Sequence, residues 1–219
     1  LYAHRVEIKE GTVEEGADVC AQIDEARRKQ VTSHHSATHL LQAALIKVLG
    51  SGVKQAGSQV EPDKARFDFS FDRAMTPSEI EQVEEILNGW ISKGYEQHTD
   101  VMDAEEAKKC GAMALFGEKY GDKVRVVGIK DENGNFISRE LCGGTHIKNT
   151  AEIRLAKVVQ ESAISAGSRR IEIVVCDAAY NFLNARAKEA EKSRSGTKQE
   201  HAAPVFLCPW EPPLDGPLF

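Results

Sequence analysis

The feature that most constrains how this chain can fold is a pair of motifs far apart in sequence, His35-Ser-Ala-Thr-His39 and Cys142-Gly-Gly-Thr-His146. Each places two metal-capable side chains four residues apart. Together they offer four nitrogen or sulfur donors, the number a tetrahedral zinc ion takes. For both to serve one ion, the fold must carry the second motif back onto the first. Zinc held in this way is either structural or able to activate a water for hydrolysis.

Residues 24–49 contain neither proline nor glycine and stop at Gly50, which predicts a helix over Asp24–Leu49. Leu41, Ala44, Leu45, Val48 and Leu49 recur at the spacing of a buried stripe. His35 and His39 are i, i+4 neighbours and share one face. That face lies roughly 130° around from the centre of the stripe, so the pair turns towards a cleft or another element. His34 falls on the stripe, as a packed core histidine would.

Around Gly143 and Gly144 the chain reads as a tight turn that passes close to something. H-x-x-x-H alone is common on helices, and the Cys/His turn is what makes the combination specific. The zinc-protease reading needs a glutamate after the first histidine, and Ser36 stands there instead.

Several longer stretches carry a resemblance. They are His35 to Leu41, Gln55-Ala-Gly-Ser58, Arg66-Phe-Asp-Phe-Ser70, Ala112 to Gly121, Glu140 to His146 and Ala166 to Glu172. In this order they resemble the alanyl-tRNA synthetase editing domain and its freestanding relatives, over roughly His4 to Phe182. The threonyl-tRNA synthetase editing domain is similar, but it usually has proline in the turn where this chain has Gly-Gly-Thr.

The resemblance implies zinc-dependent hydrolysis of the ester joining serine or glycine to alanine-specific tRNA. It implies one zinc ion on His35, His39, Cys142 and His146. Gln55 matches a position of the editing pocket, and Thr38 is a second candidate for lining it. On the residues alone, Gln55 reads equally as an exposed hairpin residue, and Thr38 as a hydroxyl bonded back to a helix carbonyl. Such a pocket accepts serine and rejects alanine by hydrogen bonding the one hydroxyl that separates them. Backbone donors at Gly143 and Gly144 would face a developing oxyanion. Four protein ligands nevertheless make a closed site, the usual form of structural zinc. An inactive fragment of a larger synthetase, and a zinc-stabilised tRNA-binding module without catalysis, therefore remain alternatives. Nothing resembles ATP-binding motifs, so no amino-acid activation is expected of this chain alone.

Five cysteines at scattered spacings do not suggest a disulfide framework. No apolar run approaches the ~18 residues of a membrane span, and the class suggests the cytoplasm. A formal net charge of −6 is unusual for a nucleic-acid binder. The basic clusters Arg27-Arg28-Lys29, Lys108-Lys109, Lys119 to Arg125 and Arg169-Arg170 read first as solvated faces or ion pairs.

The expected fold is α+β, with helices packed on an antiparallel sheet around the zinc site. Strands are expected at Tyr2–Ile8, Val19–Ile23, Val53–Val60, Ala65–Phe71, Val124–Ile129, Ile153–Gln160 and Arg170–Cys176, and further helices at Ser78–Lys93 and Ala178–Glu191. The expected division is a remnant of an N-terminal β-barrel (1–23), the editing domain (24–192) and a disordered proline-rich tail (193–219).

Overall fold

The computed structural model describes residues 3–114 and 121–196. Helix α1, Glu25–Leu49, starts where the Asp24 carboxylate accepts the Arg27 N–H at 2.9 Å and stops at Gly50. A hairpin follows, β1 (Gln55–Val60) and β2 (Ala65–Ser70), then helix α2 (Pro77–Lys93). Thr76 and Glu79 cap α2 reciprocally, with proline in its first turn. Next come β3 (Gln97–Asp103), the short helix α3 (Ala104–Lys109), β4 (Lys123–Lys130) and β5 (Phe136–Leu141). A 3-10 turn at Thr150–Ile153 leads to β6 (Ala156–Ser165), β7 (Ser168–Val175) and helix α4 (Cys176–Gly196).

The strands form two antiparallel sheets, one ordered β1-β2-β7-β6 and the other β3-β4-β5. The first sheet carries the larger core. Leu40, Leu41, Ala44 and Leu45 of α1 pack with Phe67 and Phe69 of β2, Ile171 and Ile173 of β7, and Val83, Leu87 and Ile91 of α2. The second sheet has a smaller core of Ala107, Ala112, Val124, Val126 and Leu141. This is the mixed α and β architecture, with antiparallel sheets, that the sequence suggests.

Three expectations need correction. Residues 3–23 were to supply the last strands of a barrel, yet the described part contains no strand, and Val6 and Val19 are 76% and 79% exposed. A strand's backbone groups need a neighbouring strand, and none of the described strands pairs with this segment. The sequence reading also passes over β3, α3 and β5. The expected closing helix runs five residues past Glu191 to Gly196, so the first residues of the expected tail are helical. Residues 197–219, and 115–120 of the Ala112 to Gly121 stretch, lie outside the described residues. By its contacts the chain divides into two units, Leu1–Tyr180 and Asn181–Phe219.

Candidate metal centre

His35 and His39 stand one turn apart on α1, and Cys142 and His146 flank the turn that leaves β5. The fold brings the four together, with one potential ligand atom from each lying within 4.8 Å of all the others. The Cys142 Sγ is 3.4 Å from His35 Nε2 and 3.3 Å from His146 Nε2. Ligands about 2.0–2.3 Å from a common tetrahedral centre sit roughly 3.3–3.7 Å apart, so these two edges already match such a cage. Three imidazoles and one thiol are a donor set suited to zinc.

Burial and mutual repulsion keep the rings neutral, the form that binds a metal. Desolvation, then the neighbouring His35, push His39 down to about 3. Desolvation, the two other rings and Arg125 hold His146 far below its ordinary value. His35 is lowered by burial, against a backbone hydrogen bond with Thr145. Glu140, beside His39, is pushed up to about 8 by burial, partly opposed by a hydrogen bond from Ser138.

The turn is shaped by close approach. A Cβ on Gly144 would lie 2.2 Å from His35 Cε1, so only glycine lets the backbone pass over that ring. Arg125 Nη1, from β4, donates to Cys142 O at 2.9 Å and Gly144 O at 2.6 Å. From α1, Ser36 Oγ accepts the Ile147 N–H at 3.1 Å and lies 3.1 Å from His146 Nδ1. His34 lies in the core as expected: its Nδ1 is 3.0 Å from Gln30 O, and its Nε2 accepts the Val175 N–H at 3.2 Å.

With this geometry in hand, the relatives can be placed. Residues 124–172 match the threonyl and alanyl tRNA synthetase second additional domain. That stretch belongs to the family. It is 47% identical over 186 residues to a chloroplastic/mitochondrial alanine–tRNA ligase of Populus trichocarpa, covering 85% of this chain and 18% of the relative. It is 49% identical over 186 residues to an alanine–tRNA ligase of Prochlorococcus marinus (strain MIT 9303), covering 85% and 20%. The chain thus spans about a fifth of the length of these relatives. The cytoplasmic expectation meets a relative named for chloroplasts and mitochondria. Among the described residues, no helix is long and apolar enough to cross a membrane.

A cavity of about 60 Å³ adjoins the donors. His35, Thr38, His39, Gln55, Ser58 and Glu140 are among its walls. Gln42, Gln55, Glu140 and Leu141 also line a larger cleft of about 430 Å³. Thr38 does donate to a helix carbonyl, His35 O, at 2.7 Å, while still facing the cavity. Gln55 reaches the cavity through a bulge. It opposes Phe69 while Ser58 opposes Phe67, and the register slips between Gln55 and Gly57. Residues three apart on a regular strand face opposite ways. The extra residue at 56 puts both on the face of the two phenylalanines, where Gln55 Nε2 donates to Ser58 Oγ at 3.1 Å.

Among the basic clusters, Arg169 forks onto Glu161 and Arg170 onto Asp68, so this pair is an ion-pair element. Arg27-Arg28-Lys29 lies on the exposed first turns of α1. The sequence reading missed Arg125, Gln42 and any role for Glu140. Only Glu140 had a signal, its place in the stretch ending at His146.

Proposed function

We propose that this chain holds one zinc ion on His35, His39, Cys142 and His146 and hydrolyses seryl or glycyl esters of alanine-specific tRNA. The observation that carries this reading is the position of His35, His39 and Cys142 on the wall of a small cavity whose other walls are largely polar. Relatives named alanine–tRNA ligase supply the tRNA and the amino acid context.

Zinc would supply a Lewis acid that polarises an ester carbonyl or a water. The protein's own groups select and orient. The Gln55 amide and the Thr38 oxygen face the space where a serine hydroxyl would enter. Thr38 spends its proton on His35 O and so presents an acceptor. An alanyl ester would leave such groups unpaired, which disfavours it. Backbone N–H groups at Gly143 and Gly144 are candidates for oxyanion donors. The cavity's small size favours short aminoacyl side chains.

The closed set of four donors favours a second reading, in which the metal is structural and the domain binds tRNA without turnover. A third is a fragment that needs the rest of its synthetase. One experiment separates them: release of serine from alanine-specific seryl-tRNA by zinc-loaded protein, beside its Cys142→Ala variant. Turnover by the unaltered protein alone supports editing. Binding without turnover by either supports the module. Turnover only after an N-terminal region is restored supports the fragment.

A further inference from the structure

Glu140 is a buried carboxyl for which the hydrolysis proposed above provides no task. It lies on β5 two residues before Cys142, and its side chain is only 9% exposed. Ser138, on the same face of the strand, donates its hydroxyl to Oε1 at 3.0 Å. That bond fixes the carboxyl plane and leaves Oε2 aimed at α1, 3.2 Å from His39 Nδ1. The approach is off the hydrogen-bonding angle, and among the described residues no other group bonds this nitrogen.

The two other ligand histidines show what is missing at His39. His146 presents Nε2 to Cys142 Sγ and keeps Nδ1 against Ser36 Oγ. His35 presents Nε2 to the same sulfur and has its backbone bond with Thr145. Each of these rings is held from behind while its front nitrogen faces the shared space. Metal-binding histidines commonly carry such a rear partner, which fixes tautomer and orientation.

We propose that Glu140 is the positioning residue for His39: its Oε2 accepts the Nδ1–H and thereby directs the Nε2 lone pair at the metal. This inference rests on the reading of the four side chains as one zinc centre. It also explains why a carboxyl is retained at a dry position where an apolar side chain would pack at less desolvation cost. Ser138 is part of the device, since it keeps the free oxygen of Glu140 from turning away.

The test compares zinc affinity, by competition against a chelator, in the unaltered protein, Glu140→Gln and Glu140→Met. Glutamine keeps an acceptor oxygen at similar volume, and methionine removes it. Metal-free thermal melts of all three report folding separately. Glu140→Met is expected to bind zinc roughly 10–100-fold more weakly, with Glu140→Gln recovering most of that loss. The visible spectrum of the cobalt-substituted protein should shift in Glu140→Met and stay near the unaltered one in Glu140→Gln. Equal affinity in all three proteins overturns the inference. So does an equal loss in both variants, because a merely structural or charge role moves both alike. An unaltered protein that binds no zinc overturns the metal centre itself, and the inference with it.

Discussion

The two halves of the candidate metal centre are built differently. His35 and His39 belong to a 25-residue helix whose Ala37, Leu40, Leu41, Ala44 and Leu45 are fully buried in the main core. Cys142 and His146 belong to a turn without regular structure, and it has two supports. One is Arg125 from β4, and the other is the face of α1 itself, through Ser36 and through Thr32, whose hydroxyl lies 3.2 Å from that of Thr145. The helix sets its donors by packing, and the turn sets its donors by leaning on the helix. Metal-free protein should therefore keep the first half ordered and loosen the second.

Acid should have the largest effect, because it attacks both halves. His34, His35 and His39 on α1 and His146 in the turn all have lowered pKa values, chiefly through burial. Unfolded, these rings take up protons near 6.5, whereas the folded rings resist until lower pH. The unfolded state thus binds more protons in that window, and stability falls as pH drops below about 6.5. Glu140, raised to about 8, acts in the opposite sense but is one group against four rings, so thermal melts of metal-free protein should show a net loss from pH 6.5 to 4.5. A flat profile would mean that the rings are not held neutral.

Removing the support from β4 should be felt next, and by the turn rather than by α1. Arg125→Met deletes two bonds from a charged donor to the turn, each worth about 1.5–3 kcal/mol, and a longer one at 3.4 Å to the Thr99 hydroxyl on β3. Hydrogen exchange should speed up at residues 142–147 and leave α1 unchanged. Equal acceleration in the helix would erase the contrast between the halves.

A smaller effect, about 1–3 kcal/mol, is expected for Gly144→Ala, whose methyl meets the His35 ring. Gly143→Ala is the control, since nothing lies within 4 Å of its added Cβ. Equal denaturant midpoints for the two variants would show that the turn yields freely.

What the sequence made legible follows the same divide. Helix α1, the core placement of His34 and the capped start of α2 follow from local spacing and capping chemistry. The pairing of both motifs into one cluster was legible only as a demand on the fold. Strand β3 was not, because it is a mostly exposed edge strand with little apolar alternation. The turn between β4 and β5 carried an Asn133-Gly134 signal that was overlooked. Arg125 was legible only as a member of a basic cluster, read as a solvated face or an ion pair, because its partners are carbonyl oxygens of a turn that is remote in sequence.

The bulge at residue 56 makes the cavity sensitive to register more than to identity. Deleting Ala56 would leave Gln55 and Ser58 two apart on a regular strand and still on one face, whereas a strand of the same length paired without the bulge would send Gln55 to the opposite face. A chain paired in that way would keep its core, its helices and its four donors, and would present a different wall to whatever enters. In comparing such domains, whether the residue in the place of Gln55 pairs opposite Phe69 is therefore more informative than a score of their similarity.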